Sequence, residues 1–167
     1  MRMLDFHPLT ADNFLRFEAD ILRSEILFPE EIRESSEDYL RALRQEPSVG
    51  LVARFAADYV GNVVGFAPDD AQCRELRLGE VGVDRGGLVY LFNIVTLPDF
   101  QGQGVGRRLL GEFLAVAAAR GFRRVGGHFR GNGSLANFKR LGGRELAGFD
   151  DWFGTGERYL YCELDLV

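Results

Sequence analysis

The sequence predicts a mixed α/β (α+β) fold of about seven strands and about four helices. Segments with the hydrophobicity of strands are interleaved with segments in which apolar residues recur at helical spacing. A glycine-rich loop leads from an apolar strand into an amphipathic helix and then a further strand, the order of a β-α-β crossover with parallel strands. The length of 167 residues suits one domain with a sizeable core, so residues 1–167 are interpreted as a single domain.

The N-terminal third is predicted to form a strand and two helices. A strand over residues 3–8 is followed by Thr10, whose side chain can cap a helix that begins near Ala11. The polar run at residues 35–38 is typical of a second helix cap, and Pro47 ends that helix.

The middle of the chain is predicted to contain a hairpin, an irregular segment and a buried strand. Residues 49–55 and 60–67 have strand character and are joined by a short turn. Residues 68–87 contain four glycines, and a structureless loop of that length is uncommon in a compact domain. We therefore expect a lid or a short extra strand near residues 80–83. The apolar run at residues 88–97 predicts the next strand.

The C-terminal part is predicted to form two helices and three strands. The longer helix runs over residues 105–120 and is ended by Gly121. A strand follows at residues 122–129, and Asn132 or Ser134 can cap the next helix. The last two strands are expected at residues 143–149 and 158–165.

The loop before the longer helix has the features of an anion-binding site. A strand, a tight glycine loop and a helix N-terminus together present backbone N–H groups and the positive end of the helix dipole. Glycine also lets a phosphate approach the main chain closely. A phosphorylated ligand is therefore expected at Gln101, Gly102, Gln103, Gly104, Val105 and Gly106.

Two common phosphate motifs do not fit this loop. A dinucleotide fingerprint needs Gly-x-Gly-x-x-Gly, but Arg107 or Leu109 occupies the third glycine position. The P-loop string Gly-x-x-x-x-Gly-Lys-Ser/Thr does not occur in the sequence. The pattern that remains is Gln-x-x-Gly-x-Gly, formed by Gln101, Gly104 and Gly106.

This pattern resembles the pyrophosphate-binding motif of the GNAT acetyltransferase superfamily, Gln/Arg-x-x-Gly-x-Gly/Ala. Residues 98–100 read Pro-Asp-Phe where that family usually has Pro-Glu/Asp-Tyr, and residues 107–110 continue as its helix does. The order of predicted elements is also that of the GNAT fold. The resemblance implies a mostly antiparallel, twisted sheet whose parallel fourth and fifth strands splay apart around the cofactor.

The resemblance implies acetyl-coenzyme A as cosubstrate and no metal. The pantetheine amides are expected to pair with main chain at the end of the fourth strand, as a peptide adds to a strand edge. Arginines at the start of the helix either bind the pyrophosphate or lie on a solvated face. The expected cofactor contacts outside the loop are Val95, Thr96, Leu97, Arg107, Arg108, Asn132, Asn137 and Phe138.

The implied reaction moves an acetyl (acyl) group to a primary amine by direct attack on the thioester. The strand glutamate usual in the family is absent, because residues 90–93 read Tyr-Leu-Phe-Asn. Glu80, Asp84, His128 or water remain candidate bases, and the competing role of His128 is structural. A backbone N–H near Asn93 is expected to stabilise charge on the thioester oxygen.

The usual catalytic acid is also missing. The family's tyrosine stands four residues before a helix-ending glycine, and counting back from Gly142 gives Phe138, which cannot donate a proton. The thiolate can leave without a dedicated acid, or Tyr159, Tyr161 or His128 substitutes. The sequence does not choose among them.

The acceptor is expected at the last hairpin. Asp150, Asp151 and Trp152 form an acidic and aromatic cluster that suits a cationic amine, whether of a small molecule or of a peptide. An ordinary solvated turn is the competing interpretation.

Composition limits the partners. The net charge of −5 argues against nonspecific nucleic-acid binding, and no apolar run approaches the ~20 residues of a membrane span. Two cysteines and two histidines show no metal-ligand spacing, and a reduced, cytoplasmic location is expected. The oligomeric state stays open, a homodimer included.

Two functions of different classes follow from the sequence. The first is an acyl-CoA-dependent N-acyltransferase. The alternative is a catalytically idle acyl-CoA-binding sensor or regulatory module, which Phe138 and the missing strand carboxylate favour.

Overall fold

The computed structural model describes residues 3–166, which form a seven-stranded sheet with helices on both faces. The strands are β1 (Leu4–Pro8), β2 (Ser48–Phe55), β3 (Asp58–Phe66), β4 (Leu88–Thr96), β5 (Arg124–Phe129), β6 (Arg144–Phe149) and β7 (Tyr159–Asp165). The helices are α1 (Phe14–Ser24), α2 (Ser36–Arg44), α3 (Asp70–Glu75), α4 (Val105–Ala119) and α5 (Gly133–Arg140). Short 3-10 turns occupy Glu25–Leu27, Glu30–Ile32, Leu78–Val81, Pro98–Phe100 and Trp152–Gly154.

The sheet has the order β1-β2-β3-β4-β5-β7-β6, and only the β4/β5 pair is parallel. This confirms the predicted mixed sheet and its parallel central pair. The two strands are paired only from Leu88 to Tyr90 of β4, after which they separate. At the same level the register of β4 against β3 shifts, so that Phe92 is an extra residue in β4. A bulge of this kind bends its strand, so the bulge accompanies the opening of a gap between β4 and β5.

The sheet separates two hydrophobic clusters. On one face α4 and α5 bury Leu109, Phe113 and Phe138 against the strands. On the other face α1 and α2 bury Phe14 and Tyr39. The gap between β4 and β5 therefore lies between two packed layers, and groups from both can reach it.

The segment at residues 68–87 differs from the prediction. The expected short strand near residues 80–83 is wrong, because the chain forms α3 and then a 3-10 turn. Asp69 and Gln72 form a reciprocal capping box that starts α3. Gly82 has a φ of +71°, which ends the 3-10 turn and is incompatible with an extended strand.

Side-chain caps start α2, α3 and α5, whereas α1 and α4 begin without one. Ser35 and Asp38 form the capping box of α2, as the polar run predicted. The first helix begins later than expected, at Phe14, because Thr10 and Asn13 hydrogen-bond to each other's backbone and form a separate turn. No helix in residues 3–166 is long and apolar enough to cross a membrane.

Candidate active site

The glycine loop presents an open backbone surface at the start of α4. Gly102 and Gly104 have φ values of +77° and +80°, and nothing lies within 4 Å of a Cβ built on either. Among residues 3–166, no acceptor is paired with the backbone N–H groups of Gly104, Val105 or Gly106. Free N–H groups and the N-terminus of a 15-residue helix fit a pyrophosphate.

Side chains on both sides hold the loop in place. Gln101 donates from Nε2 to the carbonyl of Thr96 at 3.0 Å, and Gln103 donates to the carbonyl of Asp99 at 3.1 Å. A Cβ on Gly106 would lie 3.2 Å from both Thr96 Oγ1 and Asn137 Nδ2, so α5 packs closely here. Thr96 and Asn137 are thereby brought beside the loop.

The other residues expected to contact the cofactor are dispersed around this loop. Arg107 and Arg108 are exposed, and the Arg108 guanidinium lies 5.7 Å from the centre of the Phe6 ring. Val95 is buried in β4, while Leu97 donates its N–H to Val60 at 2.9 Å. Asn132 accepts from the N–H groups of Ser134 and Leu135 and so caps α5.

A cavity of about 350 Å³ occupies the gap between β4 and β5. Tyr90 and His128 line it from the α1/α2 side of the sheet, and Leu91 and Phe129 line it from the α4/α5 side. The N-cap of α5, Asn132, also borders it. The cavity therefore extends between the two faces of the sheet.

His128 lies in the cavity wall among aromatic rings. Its ring stacks on Trp152 with centroids 4.0 Å apart, and its Nδ1 is 2.8 Å from the Tyr90 hydroxyl. Burial and then the positive charge of Arg77 lower the pKa of His128 to about 3. The imidazole is therefore neutral at physiological pH, and its Nε2 is buried without a partner among the described residues.

The family's tyrosine position and the two candidate tyrosines have different surroundings. Phe138, in the family's tyrosine position, is 0% exposed and packs on Phe129 at 4.8 Å. Tyr161 donates its hydroxyl proton to Glu163 at 2.8 Å. Tyr159 is buried, and its hydroxyl has no partner among residues 3–166. None of the three lines the cavity.

An acidic wall closes the α2 side of the cavity. We use this name for Glu31, Glu34, Asp38 and Glu75. Burial, followed by the charge of Asp38 and a hydrogen bond to it, raises the pKa of Glu34 to about 8, and Glu25 and Glu75 add to the shift. Burial alone would raise the pKa of Asp38, but hydrogen bonds from Ser35 and Arg41 lower it. The Glu34–Asp38 pair thus holds one proton near neutral pH.

Behind this wall a buried carboxylate connects three elements. Glu25 is 4% exposed and accepts from the Tyr39 hydroxyl, from Asn93 Nδ2 at 3.3 Å and from the Glu34 N–H at 3.1 Å. Asn93 in turn accepts from Asn62 at 2.6 Å. The network ties the segment that carries Glu34 to α2 and to the bulged part of β4.

Several predicted site residues lie outside the cavity wall. Glu80 is exposed and pairs with Arg77, and the exposed Asp150 pairs with Arg158 at 2.6 Å. The Asp151 carboxylate accepts from the Gly156 N–H at 2.7 Å and shapes the turn. Of the predicted acceptor cluster, only Trp152 lines the cavity.

The sequence interpretation missed Glu34, Asp38 and Glu75. The sequence pattern predicts only a helix cap at residues 35–38, and it assigns no role to Glu34 or Glu75. A solvated acidic loop and a partly buried carboxylate pair such as Glu34 and Asp38 have the same composition, so their burial had to be seen in three dimensions. No group of three or more His, Cys, Asp or Glu side chains in the described ranges could hold a metal ion.

Comparison with known proteins agrees with this geometry. The sequence profile described as the Acetyltransferase (GNAT) family matches residues 17–142. This chain belongs to the GNAT family of acetyltransferases. The match spans the acidic wall, the glycine loop and α5. No curated protein matches the chain in sequence.

Three solved structures share the fold of this chain. The ribosomal-protein-S18-alanine N-acetyltransferase of Escherichia coli is 16% identical, with a TM-score of 0.73 over 98% of this chain and 94% of that one. NAA60 of Arabidopsis thaliana, solved with a bisubstrate analogue, is 18% identical, with a TM-score of 0.71 over 98% of each chain. The Salmonella typhimurium protein yncA, solved with acetyl-CoA, is 14% identical, with a TM-score of 0.72 over 98% of this chain and 94% of that one.

Proposed function

We propose that this protein is an N-acetyltransferase that moves an acetyl group from acetyl-CoA to the primary amine of an acceptor by direct attack on the thioester. The observation that carries the proposal is the cavity between β4 and β5, which has the acidic wall on one side and the cap of α5 on the other. Acetyl-CoA supplies the thioester. The chain's own groups bind acetyl-CoA and remove a proton from the ammonium group of the acceptor.

The glycine loop holds the pyrophosphate in this proposal. The N–H groups of Gly104, Val105 and Gly106 are free to donate, and Arg107 adds charge at the same helix end. Asn137 lies on the adjacent face of Gly106 and is available to the cofactor's polar groups. The reacting end then extends along the unpaired edge of β4 into the gap.

Glu34 is the proposed general base. An amine arrives as an ammonium ion, with a pKa of about 10.4 for a lysine-type group. The acidic wall attracts this cation, and the ionised Glu34 accepts its proton. The neutral amine nitrogen then forms a bond to the thioester carbonyl carbon, and the carbon–sulfur bond breaks with its electron pair on the sulfur. The nitrogen releases its second proton to the departing thiolate or to solvent, which leaves a neutral amide and free coenzyme A. A carboxyl with a pKa of about 8 is a better base than an ordinary glutamate.

The leaving thiolate has no dedicated acid in this proposal. Phe138 offers no proton, and Tyr159 and Tyr161 lie outside the cavity wall. The same observation favours a second candidate function, a sensor or regulatory module that binds acyl-CoA but does not catalyse acyl transfer. If protonation of the thiolate limits the rate, Phe138→Tyr should raise turnover. If another step limits the rate, turnover should be unchanged.

The test is a calorimetric titration with acetyl-CoA, followed by a panel of amines with release of free thiol as the readout. Saturable binding and thiol release that depends on an amine support the transferase. Binding without release from any amine supports the idle module. The absence of binding would contradict both candidates.

A further inference from the structure

One side of the cavity is bridged by Arg130, which follows β5. Its Nη2 donates to the carbonyl of Leu27 at 2.7 Å, and its Nη1 lies 3.5 Å from Glu157 Oε2. Arg130 therefore joins the segment between α1 and α2 to the hairpin between β6 and β7. These segments are far apart in sequence.

Both bridged segments also form cavity walls. Phe28 and Ile32 contribute from the first segment, and Trp152 and Phe153 contribute from the second. Arg33 donates to the carbonyl of Phe28 at 3.0 Å, which fixes the first wall. The stack of Trp152 on His128 and a 3.1 Å bond from the Trp152 N–H to Glu157 fix the second. The two segments therefore form one linked wall, which we expect to leave an extended polypeptide less room than an open groove would.

The cavity is also small. Its volume of about 350 Å³ is at the lower end of the roughly 300–1,000 Å³ typical of small-molecule sites. Part of it lies between the splayed strands and is needed for the thioester end of the cosubstrate. The remaining space suits a small molecule.

Charge selects against carboxylates at this site. The acidic wall repels a second anion, and the arginines of the lining do not offset it. Arg41 pairs with Asp38 at 2.7 Å and Arg130 with Glu157 at 3.5 Å, so those two charges are balanced by ion pairs. Arg33 donates to carbonyls and keeps its charge, a single positive charge against Glu31, Glu34 and Glu75. The charges that shift the pKa of Glu34 are those of other carboxylates, so the potential there favours a cation.

The wall formed by the turn between β6 and β7 offers aromatic surface. Phe153 is 47% exposed and packs edge-on against Trp152 at 4.7 Å. It has a φ of +49°, and Asp151 has the same value, so both residues beside Trp152 adopt a conformation that is unfavourable without glycine. Non-glycine residues keep such backbone angles at functional sites more often than elsewhere. Here the strained turn presents an aromatic ring at the cavity.

We infer that the acceptor is a small arylalkylamine without a carboxylate, bound with its ammonium group at Glu34 and Asp38 and its ring against Trp152 and Phe153. This inference rests on the proposed transferase function. It separates the protein from enzymes that acetylate the ends of polypeptides.

The first experiment measures kcat/KM with acetyl-CoA for 2-phenylethylamine, n-butylamine, phenylalanine and a ten-residue peptide with a free N-terminus. We expect 2-phenylethylamine to exceed butylamine by about tenfold, because the ring adds aromatic contact. It should exceed phenylalanine by about a hundredfold, because the added carboxylate meets the acidic wall. A kcat/KM for the peptide or phenylalanine equal to or above that of 2-phenylethylamine would overturn the inference and leave the transferase function standing. An absence of thiol release with every amine would overturn both.

The second experiment removes the contacts of Arg130 with Leu27 and Glu157. Arg130→Ala should raise the ratio of kcat/KM for the peptide to that for 2-phenylethylamine by about tenfold, because the two walls are no longer joined. Arg144→Ala is the matched control, since Arg144 pairs with Asp165 on the β6–β7 surface at 3.2 Å. An unchanged ratio in Arg130→Ala, with the variant folded by circular dichroism, would overturn the role of the bridge.

Discussion

Burial decides which single residues can exchange a proton in this cavity near neutral pH. Glu34 is surrounded by protein and carboxylates, so its pKa rises to about 8. His128 is surrounded by aromatic rings and faces Arg77, so its pKa falls to about 3. The glutamate therefore titrates in the working range of an enzyme, whereas the histidine stays neutral across it.

Glu34→Gln should remove the pH dependence of turnover. In the unchanged protein, kcat/KM should rise with pH through an apparent pKa of about 8 as the Glu34–Asp38 pair loses its proton. In the variant this rise of kcat/KM with pH should disappear, and kcat/KM above pH 8 should be about 10²- to 10⁴-fold lower than in the unchanged protein. Rates from pH 6 to 9.5 test this. Glu37→Gln, an exposed carboxylate in the first turn of α2, is the control. The same rise of kcat/KM with pH in Glu34→Gln would rule Glu34 out as the base.

His128→Gln should make the fold less sensitive to acid. The folded pKa of about 3 is below the ordinary value of 6.5, so the folded state resists protonation more than the unfolded state does. This contribution is present above pH 6.5 and is lost as the pH falls towards 3, by up to about 1.4 kcal/mol per pH unit. Glutamine does not titrate, so its free energy of unfolding should fall less between pH 7 and 4. Denaturant unfolding at four pH values measures the difference. Parallel pH profiles would contradict the assignment.

At the level of elements, the buried Glu25 holds the α1–α2 segment, α2 and β4 in one arrangement. Its two oxygens accept three donors, from Tyr39, Asn93 and Glu34. The position of the proposed base thus depends on a residue that does not line the cavity. Glu25 is a positioning residue in this scheme.

Glu25→Gln should lower both stability and kcat. An amide has one acceptor oxygen, so at least one of the three donors faces an NH₂ group and loses its bond. We expect a loss of about 1–3 kcal/mol in the free energy of unfolding and a lower kcat. The KM for acetyl-CoA should be unchanged, because none of the residues bonded to Glu25 belongs to the glycine loop. Ser24→Ala is the control, since Ser24 donates to Ile21 at 2.6 Å and makes none of these three bonds. A raised KM for acetyl-CoA with an unchanged kcat would contradict the positioning role.

The sequence allowed some elements to be predicted and left others undetermined for physical reasons. The path from β4 through the glycine loop to α4 has a local pattern, with an apolar run, φ-positive glycines and helical periodicity, so it was predictable. The helix α3 has only six residues, too few for a periodic pattern. Glu80 and Glu34 both lie in polar stretches, and only the tertiary structure leaves Glu80 exposed and makes Glu34 partly buried. The bridge from Arg130 to Leu27 joins residues 103 positions apart, and no local rule connects them.

For the whole molecule, binding at the glycine loop should appear as global stabilisation. Acetyl-CoA at 100 times its Kd should add about 2.7 kcal/mol to the free energy of unfolding and raise the Tm by several degrees, about 5–10 °C for a domain of this size. Thermal unfolding with and without acetyl-CoA measures the shift.

Gly104→Val should abolish this shift, because a side chain would occupy the open face of the loop. Gly121→Val is a control matched for backbone strain. Gly121 has a φ of +89° at the other end of α4, and nothing lies within 4 Å of its Cβ position. Both variants should be destabilised, and only Gly121→Val should keep the shift with acetyl-CoA. A full shift in Gly104→Val would remove the loop from the cofactor site.

The opening between β4 and β5 also has a consequence for kinetic order. Because the cavity is lined from both faces of the sheet, the proposed reaction would have room for the thioester on the α4/α5 side and for the amine on the α1/α2 side. Neither substrate then blocks the other's path, and both occupy the protein together before any bond changes. Initial rates measured while both substrate concentrations are varied should therefore give intersecting double-reciprocal lines. Parallel lines would instead indicate a ping-pong mechanism, in which the acetyl group is first transferred to the protein and only then to the amine.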